Sequence, residues 1–165
     1  MSSIHSRSGP GTISTSLAAI APVVTAFLLG NLATFPNLPW YETLTKPAFN
    51  PPNWLFGPAW TLLYILMAVA FFRILRLPPA TRGRSAAVLS FLVQITLNAA
   101  WSWAFFAGHN PSVGLIVVVA LVVAVAVTMV LFFRLDRIAG LCFVPYLAWV
   151  SFATALNGAI LTLNG

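Results

Sequence analysis

The sequence predicts an all-α fold, an integral membrane bundle of five transmembrane helices, and three observations carry that prediction. Of 165 residues, 60% are hydrophobic and only 6% are charged, about a quarter of the charged share of a soluble domain. Mean hydropathy is +0.95, so lipid rather than water is the natural solvent. Five stretches are also long enough to cross a bilayer as helices, which takes roughly 20 apolar residues. They fill a single domain over 13–165, behind a small, polar lead over 1–12 (MSSIHSRSGPGT) that is expected to be disordered.

The first span covers about 13–35. Arg7 ahead of an apolar core imitates a signal peptide, but the length and the lack of an A-x-A-like exit argue for a retained span. Next comes a lid loop over 36–54, PNLPWYETLTKPAFNPPNW, with five prolines, two tryptophans, a tyrosine and the only Glu. A flexible linker would be rich in Ser and Gly, whereas this one is stiff and aromatic and is expected to fold over the bundle. The second span covers 55–77, its charge-free run ending at Phe72. The third, 86–107, follows a connection holding Arg82 and Arg84, and a tight Gly108-His109-Asn110-Pro111 turn leads to the fourth, 112–133. The fifth covers 139–163. Val, Ile and Phe in several of these runs would favour strands in water, but an isolated strand in lipid leaves its backbone unpaired, so helices are expected.

The net charge of +6 does not point to nucleic acid, because the basic residues lie singly or in pairs at the ends of apolar runs. With five spans, Arg7, Arg73, Arg76, Arg82, Arg84, Arg134 and Arg137 fall on the N-terminal side and Lys46 alone on the other. The positive-inside rule then sets the N-terminus in the cytoplasm, if the host is an inner membrane of bacterial type. Cys142 is single, which excludes a disulfide framework and a cysteine metal site.

Chemistry-bearing residues converge at the end of the bundle that carries the long loop. Trp60 and Tyr64 share a face of the second helix at i, i+4. Asn98, Trp101, Ser102 and Phe105 share one on the third, and Tyr146, Trp149, Ala153 and Asn157 one on the fifth. The expected product is a partly apolar cavity, roofed by the loop and lined by flat rings with a few amides, suited to flat polycyclic ligands. Other readings stand beside it. Trp40 and Trp54 also fit an interfacial aromatic belt, and Asn98 and Gln94 fit interhelical hydrogen bonding. Ala100, Ala104 and Gly108 form a small-residue stripe that fits either a homodimer seam or packing within the chain. No Walker loop, paired carboxylate, Ser/His/Asp set or intramembrane acid is present, which argues against a proton-coupled transporter. His109, alone in a turn, reads as a solvated residue rather than an iron ligand.

Trp40-Tyr41 through Lys46-Pro47, Pro51-Pro52, Phe56-Gly57-Pro58 with Trp60, then Asn98, Trp101-Ser102, Phe105-Phe106, Pro145-Tyr146, Trp149, Phe152-Ala153-Thr154 and Asn157 together resemble the translocator protein family, also called TspO/MBR or tryptophan-rich sensory proteins. The resemblance spans about 20–160. It implies a five-helix bundle, commonly a homodimer, that binds protoporphyrin IX and haem as ligands rather than obligatory cofactors, along with sterols and benzodiazepine-site drugs. It gives Trp60 and Trp149 the positions linked to porphyrin contact and light-driven porphyrin breakdown, and Tyr64, Asn98, Trp101, Ala153 and Trp40 positions of pocket or lid contacts. Two residues depart from the family pattern, Phe49 where the loop motif has Trp and Trp103 where many members have Pro. After Asn157 the chain reads Gly158-Ala159-Ile160, without the Tyr and basic residue of the animal sterol-recognition stretch, so sterol binding there is not expected. Three functions follow as expectations: a tetrapyrrole receptor, sensor or carrier; a light- and oxygen-dependent porphyrin-degrading enzyme; or a small bundle that docks another membrane protein.

Overall fold

A computed structural model describes residues 11–165, so residues 1–10 of the expected lead lie outside the described residues. All regular structure among the described residues is helical: α1 (Thr12–Thr34), α2 (Leu38–Thr43), α3 (Asn53–Leu75), α4 (Arg84–Ser102), α5 (Pro111–Leu135) and α6 (Arg137–Asn164). Five of these, all but α2, are the cores of segments long and apolar enough to span a bilayer. They close into a ring in which α1 packs on α3, α3 on α6, α6 on α5, α5 on α4 and α4 on α1.

Helix α1 is inside-out compared with a helix of a soluble bundle. On α1 the buried residues are Thr15, Ala19, Val23, Ala26, Gly30 and Ala33, spaced three or four apart, while Leu17, Leu28 and Leu32 are exposed. Lipid tails are as apolar as leucine, so burying large side chains gains little, and small ones let backbones approach. α5 keeps the same spacing but mixes small and large residues, with Gly114, Val118, Leu121, Val125, Thr128 and Phe132 buried. A Cβ on Gly114 would stand 3.0 Å from both Asn157 Oδ1 and the Phe105 side chain, which explains glycine where α5 crosses α6 and the end of α4. Away from the lid, the core is sealed by aromatic rings: Phe71 and Phe91 stack at 3.9 Å between centroids, and Phe132 meets Phe143 edge-on at 5.0 Å.

α5 and α6 form a hairpin joined by one residue, Asp136. Its Oδ1 accepts the Ala139 N–H at 2.9 Å, capping α6, and Arg73 of α3 grips the same carboxylate, Nε at 3.0 Å from each oxygen and Nη2 at 2.8 Å from Oδ2. The Arg73 guanidinium holds the Asp136 carboxyl below the ordinary aspartate value, against the opposing pull of burial and with help from the Ala139 N–H.

Two local features depart from the sequence expectation. The segment 36–54 is not all loop: a 3-10 turn (Phe35–Asn37) leads directly into α2. Pro36 and Pro39 stand in the first positions of these turns, where the N–H that proline lacks would have had no partner. α4 also ends in a π-helical turn, Trp103–Ala107, closed by the Gly108 N–H donating to Trp103 O at 2.8 Å.

Candidate functional site: a tryptophan-walled chamber under α2

A chamber of about 470 Å3 lies beneath α2, inside the range of small-molecule sites. α2 is its roof, held at both ends. On one side His109 stacks on Trp40, with centroids 4.5 Å apart and planes 12° apart, while its Nε2 lies 2.8 Å from Asn37 Oδ1. His109 has a left-handed φ of 47°, tolerated at a histidine in a turn. On the other side Asn164, at the end of α6, pairs with the backbone of Thr45 in both directions at 2.9 Å. Tyr41 braces the segment from within by donating to Asn50 Oδ1 at 2.9 Å.

The walls are rings. α3 contributes Trp60 and Tyr64, the end of α4 and its π turn contribute Trp101, Phe105 and Phe106, and α6 contributes Trp149, Phe152 and Ala153, with Trp54 at the rim. Trp60 is the hub: its ring centre lies 5.8 Å from Tyr64, 6.2 Å from Trp101 and 6.5 Å from Trp149. α5 supplies no wall residue. α1 does, through Phe27, Gly30, Asn31 and Thr34.

Below the rings runs a buried polar relay. The Tyr64 O–H donates to Asn98 Oδ1 at 2.7 Å, Asn98 Nδ2 donates to Tyr146 Oη at 2.9 Å, and the Tyr146 O–H donates to Gln94 Oε1 at 3.0 Å. Gln94 Nε2 ends the relay at Met67 Sδ, 3.8 Å away. Thus α3, α4 and α6 are tied together at mid-bundle, where an unpaired polar group is costly.

Of the ten residues expected to face a ligand, Trp60, Tyr64, Trp101, Phe105, Trp149, Ala153 and Asn157 line the chamber. Asn98, Tyr146 and Trp40 do not. Asn98 and Tyr146 point on the expected faces but one layer deeper, where the relay satisfies them, and Trp40 stands behind the wall between His109 and Phe105. Asn157 reaches the wall with its amide already committed: Oδ1 accepts Trp101 Nε1–H at 3.3 Å and Nδ2 donates to Pro111 O at 2.8 Å. The π turn falls within the small-residue stripe. Ala100 and Ala104 are half-buried and Gly108 is exposed, and glycine at 108 has a reason within the chain, since a Cβ there would lie 2.7 Å from Ala104 O. Sequence reasoning missed the contribution of α1 altogether. Its one available signal was Asn31, the single amide in a helix whose other polar residues are all Ser and Thr.

The family model described as "TspO/MBR family" matches residues 18–163, nearly the whole described chain and every wall of the chamber. The chain belongs to the TspO/MBR family. It is 40% identical over 149 residues to the "Tryptophan-rich protein TspO" of Archaeoglobus fulgidus, covering 90% of this chain and 95% of that one. It is 43% identical over 125 residues to the protein of that name from Chlorobaculum tepidum, covering 76% and 79%. To the human "Translocator protein" it is 30% identical over 139 residues, covering 84% and 82%. Membership of the TspO/MBR family together with five bilayer-length helices makes it an integral membrane protein.

Proposed function

We propose that this TspO/MBR protein is a membrane receptor or carrier that holds flat, polycyclic ligands, with tetrapyrroles such as protoporphyrin IX or haem as the leading class, and thereby senses or regulates their level. The observation that carries the reading is the chamber itself: a space under a pinned roof, walled by Trp60, Trp101 and Trp149 and mostly apolar in its lining. Ring stacking and apolar burial, at about 25 cal/mol per Å2, supply affinity without metal or charge chemistry. A relative from Cereibacter sphaeroides, 42% identical over 125 residues, bears the name "Tryptophan-rich sensory protein", which suits sensing. In the same reading Ala100, Ala104 and Gly108 border the contact with a second copy. Protoporphyrin IX titrated into the purified protein in detergent should quench tryptophan fluorescence saturably, with Kd on the order of micromolar. Trp60→Phe plus Trp149→Phe should weaken binding about tenfold by porphyrin absorbance, roughly the 1.4 kcal/mol of one lost aromatic contact. Absence of saturable binding by folded protein would overturn the reading.

A second reading, light-driven degradation of the bound porphyrin, is favoured by the contact of Trp60 with Trp149, 87° edge-to-face, which sets two oxidisable rings side by side on the wall. With dioxygen as oxidant, illumination should consume bound porphyrin in the native chain and spare it in the double variant. Equal loss in both would remove this reading while leaving the receptor reading intact.

A further inference from the structure

The charge inventory of the chamber is lopsided. Glu42 of α2 is its one acidic wall residue, and no Lys, Arg or His lines it. The ion pair formed among the described residues, Arg73 with Asp136, involves neither Glu42 nor the roof. Lys46 is nearby but committed elsewhere. Its ammonium donates to the main-chain oxygens of Glu42 and Leu44, each at 3.3 Å, and sits 4.8 Å from the centre of the Tyr41 ring. The Glu42 carboxylate itself takes no hydrogen bond from any described residue. The same chamber is lined by the rings of Trp60, Trp101 and Trp149, whose faces are electron-rich and attract cations. Fixed charge and ring quadrupoles therefore act in the same direction.

We propose that the chamber selects its ligand by charge: Glu42 makes the roof a site for a cationic nitrogen carried on a flat apolar body, and a carboxylate-bearing ligand enters only with its acid groups turned away from α2. The inference rests on the chamber reading above and adds a specificity-determining residue and a ligand class to it. The carboxylates of a tetrapyrrole such as protoporphyrin IX meet no counter-charge on the wall, whereas an amine or amidinium meets one.

Three matched probes test it: protoporphyrin IX, its uncharged dimethyl ester, and the derivative in which both carboxylates are converted to amides ending in primary amines. Affinities are read by absorbance at pH 7 in nanodiscs of zwitterionic lipid, for the native chain, Glu42→Gln and Glu42→Lys. Glu42 is exposed, so both variants should retain native helix content by circular dichroism. The native chain should bind the amine probe about fivefold or more tightly than the acid probe, the scale of one unit-charge interaction across a few ångström of partly hydrated space. Glu42→Gln should weaken the amine probe and strengthen the acid probe, Glu42→Lys should invert the preference, and raised salt should narrow the gap. Because the same variant must move two affinities in opposite directions, a general structural effect cannot imitate the result. If Glu42→Gln shifts both probes the same way, or neither, while the ester still binds saturably, the charge proposal falls and the chamber reading stands. If no probe binds saturably to folded native protein, the chamber reading fails and the proposal with it.

Discussion

Asn98 spends its whole amide inside the protein, accepting from Tyr64 and donating to Tyr146, and is 2% exposed. Replacing it with alanine leaves the Tyr64 hydroxyl without its partner and the Tyr146 oxygen without its donor, and should cost about 1–2 kcal/mol, the upper part of the range for interhelical hydrogen bonds in bilayers. Tyr64→Phe removes a single bond and should cost about 0.6 kcal/mol. Thermal unfolding in detergent, followed by circular dichroism, checks both, and equal costs would mean that the Asn98 bond to Tyr146 contributes nothing. This residue also marks a boundary of what was legible in advance. Helical spacing gives the face on which a side chain lies, so Trp60, Tyr64, Trp101, Phe105, Trp149 and Ala153 could all be read as one converging wall. Spacing does not say whether a polar tip ends at a void or at a partner on another helix. Asn98, Tyr146 and Asn157 share those faces and end at partners. Gly30 lines the chamber but is too small and too ordinary in a membrane helix to announce it.

The α5–α6 hairpin depends on a carboxylate with two duties. Asp136 begins α6 and also anchors α3 through Arg73, and its carboxyl is held below the ordinary aspartate value. The folded form therefore binds this proton less readily than the unfolded chain does. The contribution is fully present above the ordinary aspartate range and is lost as pH falls through that range to the depressed folded value. The midpoint of thermal unfolding should accordingly drop as pH is lowered below about 4. In Asp136→Asn, which keeps a competent helix cap but gives up the ion pair, that portion of the drop should vanish, and near neutral pH the variant should lose less stability than Asn98→Ala. An unchanged pH profile in the variant would show that other groups set the acid limit. Among the elements, the five spans were the readable ones, because lipid forces every backbone group into a helix and the apolar runs are long. α2 was not, since six residues (Leu38–Thr43) are too few for a period to emerge from a proline-rich segment. Nor was the π turn, because nothing in Trp-Ala-Phe-Phe-Ala distinguishes an extra residue per turn from ordinary helix.

For the whole molecule, the ring of helices separates a roof end from a basic end. Arg73, Arg76, Arg82, Arg84, Arg134 and Arg137 gather at the second, around the ends of α3, α4, α5 and α6, and Lys46 lies at the first. If the positive-inside rule governs insertion, a cysteine at exposed Ala48 in the roof segment should react with a membrane-impermeant maleimide in intact cells. One at exposed Arg82 should react only after permeabilisation, both in a Cys142→Ala background. The opposite pattern would invert the topology and deliver ligands to the chamber from the cytoplasm. The π turn at the end of α4 has its own consequence for the whole bundle, visible when the chain is considered as a product of insertions and deletions. A turn of this kind is a helix carrying one surplus residue. The surplus lies in the wall of the chamber and not in the connection over 76–83, and the turn it leads into holds His109 against Trp40. A length change between α3 and α4 is absorbed by the connection itself. A length change of one residue at Trp103–Ala107 rewinds the wall, swings Phe105 and Phe106 off the chamber and withdraws the clasp from the roof, so the count of residues in α4 is inherited together with the fit of the lid.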